Sequence, residues 1–186
     1  MKDNLEDIYE YVIERIKYER MENDYETRQS EEDALKIYRT STLNFNSIIK
    51  YIEGDYRFEH IRRTKSGLIS VWAQKEFRNL TDCFKAEVNV PKPITFRENI
   101  IMMQYLGKKS YVAPMLKDTL MKEPEKMYNE IKENITKMVN IANLVHGDLS
   151  EYNIVYFNDK PYIIDVSQAL PWKHPNAKEL LFRDAK

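Results

Sequence analysis

One stretch constrains the fold of this chain more than any other: residues Leu144–Asn153, together with the apolar run that ends at Asp165. The stretch reads Leu-Val-His-Gly-Asp-Leu-Ser-Glu-Tyr-Asn, with an aspartate two residues after a histidine and an asparagine five residues after that aspartate. Two β-rich runs, Ile154–Phe157 and Tyr162–Ile164, flank a turn-forming Asn-Asp-Lys-Pro segment, which predicts a hairpin. A hairpin folds the chain back on itself, so we expect Asn153 and Asp165, at its open ends, to lie close together.

Asp148, Asn153 and Asp165 carry the oxygen groups that phosphoryl transfer requires. That reaction needs a carboxylate beside the attacking oxygen and oxygen ligands for magnesium on the phosphates. Asp148 suits the first task, and Asn153 and Asp165 suit the second; their spacing is typical of a phosphotransferase catalytic loop and its metal ligand. The alternative is a polar turn around His146 and a strand capped by Asp165.

The composition excludes several other classes of protein. A chain of 186 residues can bury one core, or form one domain in two lobes. Its 29 basic and 30 acidic residues nearly cancel, so no global field favours nucleic acid or membrane. The single cysteine, Cys83, excludes an internal disulfide and is expected to be a half-buried small hydrophobe, and three scattered histidines make no zinc-ligand cluster. With no signal-peptide core and no apolar run of membrane-spanning length, the sequence predicts a cytosolic protein.

A lysine lies at the centre of a predicted strand, Ala34–Tyr38. Strand alternation puts Lys36 on the face opposite Leu35 and Ile37. Taken alone, such a lysine is normally a charge on an edge strand. With the Asp148 loop in the same chain, it instead indicates the Ala-x-Lys strand that phosphotransferases place under the α and β phosphates.

Glu76 is the predicted partner of Lys36. It lies in the segment Ser70–Phe84, beside an apolar helical stripe rather than opposite it, so its side chain can reach inward. The alternative is a solvated helix glutamate, which is the commoner fate of this residue type. The stripe consists of Trp72, Ala73, Phe77 and Leu80.

The chain between Lys36 and the catalytic loop predicts a strand pair and a connector. Ile94–Phe96 and Asn99–Tyr105 are expected to pair around Arg97-Glu98, and the second strand runs out toward Gly107. The backbone there could bind an adenine edge, with Met103 behind the ring; otherwise Met103 is ordinary core.

The remaining segments predict supporting elements. Apolar residues at helical spacing over 5–16 predict an amphipathic helix that covers the domain or docks on a partner, and the charged segment 20–33 follows it. Thr40–Ser66 is polar and is expected to be a long loop near the phosphate site. Glu125–Leu144 predicts one long core helix that ends beside the catalytic loop, and Pro175–Arg183 predicts a last short helix.

Five separate stretches resemble the RIO atypical protein kinases, in particular their type one branch. The resemblance runs from about residue 34 to the C-terminus, and it implies an α+β, reduced two-lobed protein-kinase-like fold with a small N-lobe sheet plus helix and a mainly helical C-lobe. The implied boundaries are an N-terminal helix and charged segment at 1–33 and a kinase domain at 34–186, divided into an N-lobe (about 34–103), a hinge (104–107) and a C-lobe (108–186). The stretches are Leu35–Leu43, Trp72–Leu80, Pro91–Pro93, Leu144–Asn153 and Ile163–Gln168.

The resemblance also implies a function. Members of this family bind ATP and magnesium, phosphorylate serine, act as ATPases through a phospho-aspartate, and serve the maturation of the small ribosomal subunit. By motif, Lys36 would hold the α and β phosphates and Glu76 would pair with it; Met103, Gln104, Tyr105 and Leu106 would form the adenine-binding hinge; Asp148 would be the catalytic base; Asn153 and Asp165 would bind magnesium, and Asp165 would be the phosphorylated aspartate.

One departure from the family pattern lies upstream. The family carries a glycine-bearing phosphate loop some twenty residues before the strand lysine, whereas here that window, Tyr11–Glu19, contains no glycine. We expect either a sequence truncated or spliced at its start, or a protein without a normal nucleotide lid. The end of the chain also comes early for the family. Because backbone amides need glycine to approach phosphate closely, weak ATP binding is expected.

Three functional interpretations remain open at this point. The first is an active kinase or ATPase of ribosome assembly, and the second is a binding module that docks on the pre-ribosome with at most a weak nucleotide site. The third is a small-molecule phosphotransferase, which shares a His-Gly-Asp loop. Ser150-Glu151-Tyr152 and Asp165-Val166-Ser167 argue against that third interpretation.

Overall fold

The computed structural model describes residues 33–39, 45–58, 64–108 and 111–185, with only the backbone of residues 46 and 47. All of these belong to one unit that begins at Glu32. The predicted N-terminal helix and the window Tyr11–Glu19 lie outside the described residues. The predicted boundaries of the lobes and the hinge stay predictions.

A three-stranded antiparallel sheet forms the N-terminal part of the described chain. Strand β1 (Asp33–Ile37) and strand β2 (Pro93–Arg97) both pair with the central strand β3 (Ile100–Gln104). Lys36 lies opposite Ile101 across the β1–β3 pair. The predicted pairing around Arg97-Glu98 is confirmed; the turn between β2 and β3 uses a left-handed Glu98 with φ of 51°.

Helix α2 (Lys65–Lys85) is the main helix against this sheet, and it begins five residues before the predicted segment. The Thr64 hydroxyl accepts a hydrogen bond from the Gly67 amide at 3.1 Å, an N-cap that fixes the start of the helix. The ring of Phe77 contacts that of Phe96 on β2, with centroids 4.9 Å apart. Cys83 is fully buried on the helix, more deeply than the half-buried state predicted.

The prediction of a loop over Thr40–Ser66 is wrong over two parts of that range. Helix α1 (Phe45–Ile52) lies within it, and α2 has begun by Lys65. Ile48 and Ile52 are buried, one helical turn apart, in the same core cluster as α2. Packing against α2 therefore stabilises this short helix. Its few apolar residues lie among polar ones, so the sequence alone did not predict it.

The chain after β3 forms a second group of elements. A two-residue strand pair, β4 (Gly107–Lys108) with β5 (Tyr111–Val112), precedes helix α3 (Pro124–Asn140). The helix starts with proline at its first turn, where a missing N–H costs nothing. It ends at Asn140, so the predicted extension to Leu144 is wrong.

Residues 141–145 do not continue the helix, because they form a left-handed turn and then a short strand. Asn143 takes a left-handed conformation, with φ of 55°. Strand β6 (Leu144–Val145) then pairs with β9 (Leu170–Pro171), and all of Leu144, Val145 and Leu170 are buried. The apolar residues that continued the helical pattern in the sequence thus form a buried strand directly before the catalytic loop.

The predicted hairpin is confirmed. Strand β7 (Ile154–Phe157) pairs with β8 (Lys160–Ile163) through a two-residue turn in which Asn158 and Asp159 both have positive φ. Asparagine and aspartate tolerate that conformation better than other side chains, as a type I′ hairpin turn requires. The last helix, α4 (Ala177–Asp184), lies at the predicted place. Among the described residues, no helix is long and apolar enough to cross a membrane.

Candidate active site

Lys36 joins two carboxylates from distant parts of the chain. Its Nζ lies 2.8 Å from Glu76 Oε1 on α2 and 2.9 Å from Asp165 Oδ1 after β8. Glu76 is almost fully buried, and the Tyr38 hydroxyl donates a hydrogen bond to its second oxygen. The structure therefore brings the predicted partner of Lys36 beside it and adds Tyr38, which sequence reasoning did not assign to the site.

Burial and charge act against each other in this cluster. Burial lowers the pKa of Lys36, but the nearby carboxylates of Glu76 and Asp165 outweigh it, so the net shift is upward. Burial also raises the pKa of Glu76, and the charge of Lys36 opposes that rise without cancelling it. At Asp165 burial again acts to raise the pKa, but the Lys36 charge and the hydrogen bonds prevail and hold it below its ordinary value. The lysine is held charged, and Asp165 is held as the ionised carboxylate.

Asp165 combines a left-handed backbone conformation with a partly exposed side chain. Its φ of 54° and ψ of 58° are left-handed, a conformation that aspartate tolerates better than most residues. Oδ1 accepts from Lys36 and from the Ser167 hydroxyl at 2.7 Å. Within the described part of the chain no donor binds Oδ2, and the side chain is 46% exposed. One carboxylate oxygen is therefore open to a cation.

The catalytic loop meets Asp165 across the open end of the hairpin. The Ile164 amide donates to the Asn153 carbonyl at 3.0 Å, which places Asn153 and Asp165 at adjacent positions, as the sequence predicted. The Asn153 side-chain amide donates to the Asp148 carbonyl at 2.8 Å, and Gln168 Nε2 donates to Asp148 Oδ2 at 3.0 Å. The structure thus brings Asp148, Asn153 and Asp165 to one site.

His146 is a buried brace inside this loop and makes no described contact with the Asp148 carboxylate. Its Nδ1 accepts from the Asp148 amide at 3.3 Å, which assigns the ring proton to Nε2, 3.1 Å from the Ile164 carbonyl. Burial lowers the pKa of His146, which favours this neutral form. The neutral ring ties the loop to the end of β8.

Asp184, at the end of α4, holds the loop from the other side and was missed by sequence reasoning. Its Oδ2 accepts from the Gly147 amide at 2.7 Å and its Oδ1 from the Leu149 amide at 3.1 Å. These amides flank Asp148, so one carboxylate fixes the backbone on both sides of it. Arg183 donates to the Gly147 carbonyl as well. A single charged pair at the end of a short helix gives no pattern from which this role could be predicted.

The predicted hinge residues lie at the end of β3 and in the two residues after it. The Gln104 amide is engaged by the Lys92 carbonyl at 2.9 Å, and the Leu106 carbonyl accepts from Ala113 at 3.0 Å. Met103 is half-buried against the main core cluster. A nucleotide base would have to use other backbone groups of this segment, such as those of Tyr105.

A cavity of about 600 Å³ adjoins the charged cluster. Lys36, Asp165 and Gln168 are among its lining residues, together with residues of α1, α2 and α4. Asp165 lines the cavity directly, and Gln168 connects the lining to the Asp148 carboxylate through a hydrogen bond of 3.0 Å. The arrangement can hold an anionic group at Lys36, a cation at Asp165 and a hydroxyl near Asp148.

Comparison with known proteins gives one consistent family. A sequence profile of the RIO domain matches residues 8–186. The chain is 47% identical over 152 residues to the RIO-type serine/threonine-protein kinase Rio1 of Thermoplasma acidophilum, covering 81% of this chain and 79% of that protein. Identity to Rio1 of Methanocaldococcus jannaschii is 42%, over 81% of this chain and 52% of the relative. Identity to the human serine/threonine-protein kinase RIO1 is 38%, over 85% of this chain and 28% of the relative. The chain therefore spans only part of several relatives.

Solved structures share the fold. The crystal structure of the Rio2 kinase from Chaetomium thermophilum superposes with a TM-score of 0.61 at 25% identity, covering 84% of this chain and 48% of that chain. The complex of the same kinase with ADP/Mg²⁺ and phosphoaspartate gives a TM-score of 0.60 at 24% identity, covering 83% of this chain and 46% of that chain. These matches confirm the predicted α+β, reduced two-lobed kinase-like fold.

Proposed function

The chain belongs to the RIO family of serine/threonine protein kinases, and from that premise we propose that it binds ATP with magnesium and transfers the γ-phosphate to a serine or threonine hydroxyl. The observation that carries this proposal is the Lys36 ammonium held between Glu76 at 2.8 Å and Asp165 at 2.9 Å. A lysine fixed in this way can neutralise phosphate charge at one position, and the carboxylate beside it can bind the metal of the same nucleotide.

The residues present fit magnesium. Asp165 offers its Oδ2, to which no described donor binds. Asn153 lies next to it across the hairpin; its side-chain nitrogen donates to the Asp148 carbonyl, so its side-chain oxygen is available as a metal ligand. Magnesium prefers such oxygen ligands and usually binds through one or two side chains plus substrate phosphates. When bound, it would neutralise negative charge on those phosphates.

Asp148 is the proposed catalytic base. Its side chain is exposed, and Gln168 holds one of its oxygens, which leaves the other to accept a proton. In the proposed reaction the acceptor hydroxyl oxygen forms a bond to the γ-phosphorus, the bond from that phosphorus to the bridging oxygen breaks, ADP leaves, and the hydroxyl proton passes to Asp148. Lys36 holds the α and β phosphates during this exchange.

We also propose an ATPase reaction through Asp165. The Rio2 kinase of Chaetomium thermophilum was crystallised with ADP, Mg²⁺ and a phosphoaspartate. Asp165 is 46% exposed and ionised beside the cavity, as a carboxylate that attacks phosphorus must be. A carboxylate oxygen would bond to the γ-phosphorus while the bond to the bridging oxygen breaks and ADP leaves; water would then hydrolyse the acyl phosphate, releasing inorganic phosphate and the free aspartate. An acyl phosphate is cleaved by hydroxylamine, so label from γ-labelled ATP should be released by that reagent and be absent in Asp165→Asn. Label that resists hydroxylamine would contradict this step.

A partner and a location complete the proposal. By family resemblance we propose that the protein acts in the cytoplasm on the precursor of the small ribosomal subunit. Purified chain with magnesium and ATP should co-sediment with such particles. If the protein stays entirely at the top of the gradient while a known particle-binding protein enters it, the proposed partner is wrong.

The absence of glycine from Tyr11–Glu19 favours a second candidate, a binding module of the same fold with little or no turnover. Phosphate transfer from labelled ATP to a generic serine-containing substrate, or to water, separates the two. Turnover that requires magnesium and is lost in Asp148→Ala would support the kinase. A chain that binds its particle but releases no phosphate above the level of Asp148→Ala would support the binding module.

A further inference from the structure

We propose that Lys75 and Asn79 are positioning residues for the metal site: from α2 they hold the turn that follows Asp165, so that the helix and the Asp165 carboxylate form one unit. This inference rests on the proposed role of Asp165 in binding magnesium. It concerns two buried polar residues of the stretch Trp72–Leu80 to which neither the catalytic steps above nor the sequence analysis gives a role.

The Lys75 side chain points into the core. It is fully buried, yet its Nζ donates to the Ser167 carbonyl at 2.8 Å and also to the Ala169 carbonyl. The Trp72 ring lies 5.5 Å from the same nitrogen. A lysine is almost never fully buried unless it is paired, so the two carbonyls and the aromatic face are what keeps it there.

Asn79 lies one helical turn further along the same face of α2. Its side-chain nitrogen donates to the Val166 carbonyl at 2.8 Å and to the Ala169 carbonyl at 3.0 Å. Both residues therefore bind the short 3₁₀ turn Val166–Gln168 and the residue after it. Together they satisfy three carbonyls of a segment that starts immediately after Asp165.

This contact completes a closed chain of interactions around the metal site. Glu76, between Lys75 and Asn79 on α2, binds Lys36, and Lys36 binds Asp165. Ser167, whose carbonyl Lys75 holds, donates its hydroxyl to Asp165 Oδ1. A displacement of the turn would leave the buried Lys75 amino group and several buried carbonyls without hydrogen-bond partners, which is a large cost for buried polar groups. The turn and the helix should therefore move together or not at all.

The charges around Lys75 do not provide another anchor. Asp55 and Arg57, from the turn after α1, face it together with Glu76. Asp55 is engaged by Arg57, with an Nη2–Oδ2 distance of 2.8 Å, and Glu76 is engaged by Lys36. Within the described residues Lys75 has no carboxylate within ion-pair distance, so the carbonyls of the turn are its direct partners. Burial lowers the pKa of Lys75 to about 7, as expected for an ammonium held mainly by neutral groups.

The test compares two buried substitutions on the same helix. Lys75→Met keeps the length and apolar volume of the side chain and removes its donors, whereas Leu68→Ala removes core packing from a residue with no polar side-chain atom. ADP affinity is measured by calorimetric titration at increasing magnesium concentrations. The readout is the magnesium concentration at which the strengthening of ADP binding is half-maximal. Hydrogen exchange of the Ala169 amide, which donates to Val166 at 3.1 Å, reports the turn without any ligand.

Lys75→Met should raise the half-maximal magnesium concentration by about 10- to 100-fold, the usual effect of removing a partner that orients a metal ligand. Affinity for ADP without magnesium should change little, and the Ala169 amide should exchange faster. Leu68→Ala should leave both readouts near the wild type at a temperature where it is folded. Equal shifts in the two variants, or no shift in Lys75→Met, would overturn the proposal.

Two further outcomes are informative. If Lys75→Met does not fold, Asn79→Leu replaces it, because it also removes donors to the turn. The same results are expected of it, and the same results would overturn the proposal. If the wild type binds ADP without any response to magnesium, the proposed function fails. The exchange of the Ala169 amide then still decides whether α2 holds the turn: faster exchange in Lys75→Met alone supports that part, and unchanged exchange overturns it.

Discussion

The two aspartates of the site are held in opposite ways. Asp165 is fixed through side chains that converge from β1 and α2: Lys36 binds its carboxylate, and Lys75 binds the turn that follows. Asp148 is fixed through its backbone, because Asp184 binds the amides on either side of it while its own side chain stays exposed. The proposed metal side of the site therefore depends on side-chain contacts, and the proposed base side depends on loop geometry.

The largest loss of turnover should come from a change on the proposed metal side. Asp165→Asn keeps the shape of the residue but removes the negative charge that binds both Lys36 and the proposed metal. We expect magnesium-dependent turnover to fall by more than about a hundredfold, beyond the usual cost of losing an outer partner of a metal ligand. Phosphate release at saturating ATP measures this, with circular dichroism as a control for folding. Unchanged turnover would remove Asp165 from the site.

The base side should separate chemistry from binding. Asp148→Ala removes the proposed proton acceptor, so turnover should fall by about 10²- to 10⁴-fold. ATP affinity should be spared, because the Asp148 carboxylate binds Gln168 and its proposed partner is the acceptor hydroxyl, not the nucleotide. Steady-state kinetics and calorimetry on the same protein measure both. A loss of affinity with normal turnover at saturation would contradict this role.

Asp184 tests whether the loop backbone is what positions Asp148. Asp184→Asn should weaken two charge-assisted hydrogen bonds, worth about 1.5 to 3 kcal/mol each at most, and lower turnover by roughly tenfold with ATP affinity unchanged. Lys178→Gln, an exposed change on the same helix, is the matched control. If Asp184→Asn alters ATP affinity as much as turnover, the separation of the two sides is wrong.

The last effect concerns the stability of the fold and its dependence on pH, not turnover. Burial lowers the pKa of Lys75 from 10.5 to about 7. Between those values the unfolded chain binds a proton at this lysine that the folded chain releases, so its contribution to the free energy of unfolding increases with pH. The difference between wild type and Lys75→Met should therefore shift in favour of the wild type by up to about 1.4 kcal/mol per pH unit from pH 7.5 to 9.5. Urea unfolding at several pH values measures this; a difference independent of pH would contradict it.

The sequence was most informative where the relevant contacts are local or follow a strict pattern. The hairpin from Ile154 to Ile163 was predictable because two β-rich runs flank turn residues that tolerate positive φ. The pairing of Lys36 with Glu76 could be predicted because the Asp148 loop indicates a phosphate-binding lysine and the helical stripe lets Glu76 reach inward, although the two positions are 40 apart in the sequence.

Other features could not be predicted because tertiary packing decides them. Helix α1 depends on two isoleucines that become buried only against α2. Helix α3 ends at Asn140 because Leu144 is recruited into a strand with β9. Lys75 and Asn79 resemble solvated helix residues in the sequence; their partners lie 87 to 94 residues away and are backbone carbonyls, which carry no sequence signal.

Lys36 and Asp165 together form the proposed site for a magnesium nucleotide, and calorimetric titration of ATP with and without magnesium tests this site most directly. We expect magnesium to strengthen ATP binding by the wild type. Asp165→Asn should abolish this enhancement and leave the weaker magnesium-free binding, which depends on Lys36. Equal ATP affinity with and without magnesium in the wild type, or an unchanged enhancement in Asp165→Asn, would contradict it.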